Sequence, residues 1–199
     1  MDIFDEYRKI ALKRDFEFGS SIDESSFIIP SDRMVNRKYC YLIKGDLMYF
    51  ASDSYAARAG LSSTFSGIYT PIQSVLKDFE AEMSKHFWFD FIAGGSRVKT
   101  GNSYIDKHLR VKTNMANCVS MLVDVRVVDS YLKLWDKYSP LKIVVGPKYL
   151  PFIKGFEDKL VIGVEATEWI KPERFEVKFD DFKELLLAMK RKVEKNYGD

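Results

Sequence analysis

Apolar residues recur at helical spacing at both ends of the chain and in shorter, strand-like runs between them. Ile3, Tyr7, Ile10 and Ala11 share one helical face, and Asp2, Asp5 and Glu6 stand where a helix dipole favours anions, so a helix is expected over Asp2–Arg14. Short β-like runs follow at Phe16–Phe18 and Phe27–Ile29, separated by a Ser-rich link and ended by Pro30. Tyr39–Ile43 and Leu47–Phe50 flank Lys44-Gly45-Asp46, which predicts a β-hairpin with Gly45 supplying positive φ. Ser52–Gly67 is rich in Ser, Ala and Gly with little periodicity, and reads as a long surface connection that could hold a helix around Tyr55–Ala59.

The next segment carries two competing periods. Thr70-Pro71-Ile72-Gln73 resembles a capping box with proline at the first helical position, which would align Ile72, Val75, Leu76, Phe79 and Met83 on a helix. Against this, Phe79, Ala81, Met83, Phe87, Phe89 and Phe91 alternate with Asp78, Glu80, Glu82, His86 and Asp90. Period two and the aromatic content favour extended structure over Phe79–Ile92. Gly94-Gly95 then makes a turn, Arg97–Lys99 a short strand, and Thr100–His108 a turn or a single helical turn. A helical stretch is expected around Met115–Leu122. A second helix, capped by Asp124, runs to Tyr138 with Val127, Val128, Tyr131, Leu134, Trp135 and Tyr138 inward, and Pro140 stops it. Leu141–Val145 and Leu160–Val164 read as β-branched strands, and Phe175–Phe179 alternates like a half-buried one. The last helix covers Asp181–Asn196 on a stripe of Phe182, Leu185, Leu186, Met189 and Val193. With no repeat, linker or low-complexity tract, the pattern predicts one α+β domain over residues 1–199, a mainly antiparallel sheet with about four packed helices.

Composition adds the environment. At 46% hydrophobic and 30% charged residues, the 199-residue chain has the make-up of a folded protein. Cys40 and Cys118 form no disulfide framework, the N-terminus has no apolar signal core, and no apolar run approaches the roughly 18 residues that span a bilayer, so a cytoplasmic location is expected. Five asparagines and one glutamine in a Lys- and Glu-rich chain are what a thermophilic source would select.

Candidate chemistry concentrates in His86–Thr113, which holds both histidines and the only Gly-Gly pair. Between residues 97 and 112, Arg97, Lys99, Lys107, Arg110 and Lys112 oppose Asp106 alone, a local charge of +4 in a chain of +2. These five cations, beside two glycine-containing turns, form a candidate anion site. Trp88 and Tyr104 are candidates for stacking on nucleic-acid bases. The blander alternative is a strand and turn whose charges face water, since no phosphate-binding glycine motif is present. His86 and His108 lack a nearby nucleophile or metal-ligand spacing, Cys118 reads as a core thiol, and Asp78, Glu80 and Glu82 read as solvated outer-face charge. No catalytic residue, metal or cofactor is assigned. The acidic start and basic end of the last helix match its dipole without a ligand.

The run Val98-Lys99-Thr100-Gly101-Asn102-Ser103-Tyr104-Ile105-Asp106-Lys107-His108-Leu109-Arg110-Val111 resembles a pattern in a family of uncharacterised prokaryotic domains of unknown function, with Thr100, Gly101, Asn102, Ile105 and Asp106 carrying the likeness. The resemblance spans about residues 98–196 and implies a strand, turn and basic strand followed by helices, a strand pair and an amphipathic C-terminal helix. Members are often membrane-attached, which the apolar pattern here does not reproduce. No activity comes with the resemblance.

Three function classes follow. The first is a non-catalytic binding or interaction module, with a protein partner or a second copy of itself. The second is a nucleic-acid or phosphate-ligand binder using the basic cluster, and the third an enzyme of unrecognised type.

Overall fold

The computed structural model describes residues 3–21, 28–29, 34–56, 61–72, 78–86, 98–146, 155–156 and 159–197. The first helix, α1 (Ile3–Arg14), buries Phe4, Tyr7 and Ala11, with Ile3 and Ile10 at the margin. It ends where Asp15 turns into the left-handed region (φ 57°) and the Phe16 amide donates to the Ala11 carbonyl at 2.9 Å. Strands β1 (Glu17–Ser20), β2 (Ile28–Ile29), β3 (Met34–Lys44), β4 (Leu47–Ala56) and β5 (Leu61–Ile72) follow. The expected hairpin at Lys44-Gly45-Asp46 is the β3–β4 connection, with Gly45 at φ 59°.

After β6 (Ala81–Lys85) come α2 (Ser103–His108), β7 (Leu109–Thr113), a 3-10 turn, α3 (Val119–Leu122) and α4 (Val125–Tyr138). Strands β8 (Leu141–Val145) and β9 (Leu160–Ala166) and the long helix α5 (Phe175–Tyr197) complete the fold. All pairings are antiparallel, in the order β1-β3-β4-β5-β9-β8-β6-β7 with β2 beside β3, so the α+β architecture with an antiparallel sheet is observed.

Register explains the core. Leu42, Tyr49, Ile68, Val164, Ile143, Met83 and Val111 are successive cross-strand partners from β3 to β7, and all seven have no solvent exposure. Helical residues Tyr7, Tyr131, Phe175, Phe182 and Met189 cluster with this row. The opposite face carries a smaller cluster of Tyr39, Met48, Phe50, Tyr69, Val144, Phe156 and Val161.

Three expectations are corrected, and the segment with two competing periods is decided. Ser52–Gly67 is not a loop where it is described: β4 continues through Ala56 and β5 starts at Leu61, so Tyr55–Ala56 is strand, while residues 57–60 lie outside the described residues. Its small side chains suit a strand flanked on both sides, since Gly67 lies under Tyr69 and the Ser66 hydroxyl donates to the Glu168 carbonyl at 2.5 Å. Thr70-Pro71-Ile72 is the end of β5 rather than a helix cap, and β6 confirms the extended reading for 81–85; Gln73 and residues 87–92 are outside the described set. Phe175–Phe179 is the start of α5. Phe175 and Phe179 satisfy both periods, but Val177, which a strand would bury, is 58% exposed. At the expected Arg97–Lys99 strand, Val98 and Lys99 form no strand, although the Val98 amide donates to the Val111 carbonyl at 3.1 Å.

Candidate functional site: a charged ladder and a basic corner

The face of the sheet turned away from the helices divides in two. Over β3, β4 and β5 it is aromatic and apolar; over β9, β8, β6 and β7 it alternates in charge. Glu165 on β9 stands opposite Lys142 on β8, and Glu82 on β6 opposite Lys112 on β7. Directly opposed residues on one face sit close enough for side-chain pairing, which is why opposite charges recur there.

The contacts form a continuous chain across five strands. The Tyr69 hydroxyl donates to Glu165 Oε1 at 3.0 Å, and Lys142 Nζ donates to Glu165 Oε2 at 3.1 Å and to Glu82 Oε2 at 3.3 Å. Lys112 Nζ donates to Glu82 Oε1 at 3.1 Å. Glu165 is 2% exposed, whereas Lys142, Glu82 and Lys112 reach solvent. Burial raises the Glu165 carboxyl above its ordinary value, with Lys142 and Tyr69 pulling the other way. Burial also disfavours charge on Lys142 and Glu82. There the neighbours win: Glu165 and Glu82 hold the ammonium above its usual range, and Lys142 and Lys112 hold the Glu82 carboxyl below its own. Tyr69 is pushed up by burial and by the Glu165 charge.

Beside this ladder, the Thr100–Asp106 motif builds a turn. Asn102 Oδ1 caps α2 by accepting the Tyr104 and Ile105 amides at 3.0 and 3.3 Å, and Gly101 takes φ 81°. Asp106 Oδ1 accepts both the amide and the hydroxyl of Thr100, each at 2.9 Å, and Ile105 is fully buried. The turn and the Val98–Val111 bond set Lys99 and Arg110 on adjoining segments.

The five proposed anion-binding cations are therefore not equivalent. Lys99 and Lys107 are exposed and make no ion pair with a described residue; Arg110 is half-buried on β7; Lys112 is bound to Glu82; Arg97 lies outside the described residues. Trp88 also lies outside them. Tyr104 donates to Asp129 Oδ1 at 2.5 Å, and its ring has the His108 ring 4.3 Å away.

The two histidines meet through their backbones, His86 N–H donating to the His108 carbonyl at 2.8 Å. His108 Nδ1 lies 2.9 Å from the Tyr104 carbonyl, which can only accept, so this nitrogen carries the proton. Burial pushes the Cys40 thiol far up, and Cys118 is half-buried. Among the described residues no group of three or more His, Cys, Asp or Glu could hold a metal ion. No helix among them is long and apolar enough to cross a membrane.

Pattern reading missed Tyr69, Glu165 and Lys142, and assigned Glu82 to solvent. The available signal was a single charge inside each of two otherwise apolar strands, Leu141-Lys142-Ile143 and Gly163-Val164-Glu165-Ala166. A charge in a strand buried on both faces needs a partner.

No protein-family model matches this sequence, and no curated protein is significantly similar to it.

Proposed function

We propose that residues 1–199 act as one non-catalytic binding module. The observation that carries this reading is Lys142 held between Glu165 and Glu82. A carboxylate or lysine serves acid–base catalysis best when its pKa is moved toward the working pH. In the ladder, Lys142 moves up and Glu82 moves down, both away from neutrality. Glu165 moves toward neutrality but is buried against Tyr69 and Lys142, as a structural carboxylate would be. The test is a nitrogen-15 and carbon-13 NMR titration of the Lys142 and Glu165 side chains. The binding-module reading expects Lys142 to lose its proton at a higher pH than an ordinary lysine, as Glu165 and Glu82 hold its charge. Loss of its proton below about pH 8 in the folded protein would make the ladder an acid–base centre and sink the reading.

A second reading narrows the ligand to a phosphate-bearing or nucleic-acid chain. It is favoured by Lys99 and Lys107, which stand exposed beside Arg110 with no described carboxylate paired to either lysine. Three phosphate contacts from these residues predict that affinity for a labelled single-stranded oligonucleotide falls about 20-fold between 50 and 200 mM salt. The triple reversal K99E/K107E/R110E is expected to abolish binding in an anisotropy titration; unchanged binding rejects this reading.

A further inference from the structure

On the helix-covered face, opposite the ladder, a groove opens between the β3–β4 turn and the C-terminal half of α5. Its volume is about 540 Å³, within the range of small-molecule sites. Leu47, Leu187 and Thr70 lie along it, and Asp46, Lys190 and Arg191 stand at its mouth. The geometry follows from the sequence. Leu187, Lys190, Arg191 and Glu194 fall three or four residues apart and share one face of α5, while Gly45 lets the hairpin turn tightly enough to bring Lys44 and Asp46 beside that face.

Two polar groups in the groove lack good partners among the described residues. Thr70 is 1% exposed, and among those residues its hydroxyl reaches the carbonyl of Pro71, at 3.5 Å. A buried hydroxyl normally finds a better acceptor or donor than that. Arg191 donates from Nε to the Leu187 carbonyl at 3.2 Å, and its two Nη groups make no bond with a described residue. Lys190 Nζ is tied to Asp46 Oδ2 at 2.9 Å, and Lys44 Nζ to the Arg14 carbonyl at 2.7 Å. Lys190 is paired with Asp46 and Lys44 lies 3.9 Å from Asp15, so Arg191 is the lining cation with no ion pair to a described carboxylate.

We infer that this groove binds a small soluble amphiphile with an anionic head, a carboxylate or phosphate. The head is met by the Arg191 guanidinium fork, and a short apolar body lies on Leu47 and Leu187. The Thr70 hydroxyl completes its hydrogen bonding on the ligand. A guanidinium fork suits a planar or tetrahedral oxyanion because two parallel N–H groups can donate to it at once.

Isothermal titration calorimetry of the full chain tests this with decanoate, decyl phosphate, inorganic phosphate and decyltrimethylammonium. One-to-one binding of decanoate or decyl phosphate is expected, and whichever is tighter identifies the head. Inorganic phosphate should bind at least about tenfold more weakly, because it lacks the apolar body. R191E should weaken the anionic amphiphile by about tenfold or more, and T70V by a smaller factor. Circular dichroism spectra and melting points close to wild type would show that both variants fold. Equal binding of the cationic amphiphile overturns the inference, as does undiminished affinity in folded R191E or the absence of binding by either anionic amphiphile. If T70V does not fold, R191E alone decides, since its side chain is on the rim.

Discussion

The ring of Tyr69 lies across Gly163, its direct partner on β9, so closely that a β-carbon on that glycine would overlap the ring. The same ring crosses Gly67 on its own strand and brings its hydroxyl to Glu165. Two glycines in the middle of the sheet thus make room for one aromatic, and the aromatic positions one end of the charged ladder. Gly163→Ala is expected to displace Tyr69, lengthen its bond to Glu165, and destabilise the protein by about 2–3 kcal/mol. Gly45→Ala, where nothing lies within 4 Å and only positive φ is strained, should cost about 1 kcal/mol. Urea unfolding of both variants measures the difference, and equal losses would contradict the overlap.

Lys142 holds two carboxylates apart. Lys142→Met leaves Glu165 buried without its cation and is expected to destabilise by about 2–3 kcal/mol, less than the roughly 3–5 kcal/mol of a fully buried pair because Lys142 itself is partly solvated. Removing both charges in K142M/E165M should recover most of that loss, since the desolvated carboxylate is gone. Chemical denaturation of the single and double variants tests this. A double variant that loses the sum of the two single effects would count against a paired ladder.

Acid should weaken the fold, and Glu165 should oppose the trend. Burial disfavours the charge on Glu82, Asp124 and Asp181, but their partners outweigh it: Lys142 and Lys112 at the first, the Val127 amide with Lys192 at the second, Lys137 with Tyr138 at the third. Hydrogen bonds from Lys190 and Lys13 lower Asp46 and Glu176 in the same sense. Groups lowered in the folded state contribute stability above their unfolded values, about 4, that is lost as pH falls through the folded ones. Glu165 is raised, so its folded form binds the proton more tightly, and its unfavourable contribution is relieved as pH falls from neutrality toward about 4.3. The wild type should therefore lose stability below about pH 4, while its stability relative to E165Q rises at higher pH, as the pH falls toward about 4.3. Urea midpoints of the two proteins at about pH 7, 5.5, 4 and 2.5 measure both trends.

Asn102→Ala should remove the α2 cap, costing about 1 kcal/mol and speeding amide exchange at Tyr104 and Ile105. Asp106→Ala should cost at least as much, because two donors of Thr100 lose their acceptor. Hydrogen-exchange NMR separates the variants: the first exposes the Tyr104 and Ile105 amides, the second the Thr100 amide.

Local rules revealed the elements whose signals do not depend on distant partners. Asp124 caps α4 and accepts the Val127 amide at 3.0 Å, Gly45 turns the hairpin, and the stripe Phe182, Leu185, Leu186, Met189 and Val193 is buried on α5 as its spacing requires. Thr100, Asn102 and Asp106 also behave as turn chemistry suggests. The misreadings share a cause. Ser62, Ser63 and Thr64 have no apolar period, and what makes them strand is their pairing with Tyr55, Ser54 and Asp53 of β4. The pairing of Glu165 with Lys142 was illegible for the same reason, since it depends on β9 lying beside β8 in one particular register. In the basic cluster, charge was visible in the residues. That Lys112 belongs to Glu82, and Lys99 and Lys107 to no described carboxylate, became visible only across strands.

The strand order has a consequence for assembly during synthesis. Strands β3, β4 and β5 form a meander, with β1 and β2 both on β3, that can pair as it emerges, but the other edge of β5 receives β9, whose residues 160–166 are made nearly ninety residues later. Until then β5 presents an open row of amides and carbonyls to any neighbouring chain. The centre of the sheet is thus completed almost last, by a contact of long sequence separation, which places the slow step of folding at the β5–β9 seam. A chain interrupted before Leu160 would carry two half-sheets, each with a sticky edge and neither able to close.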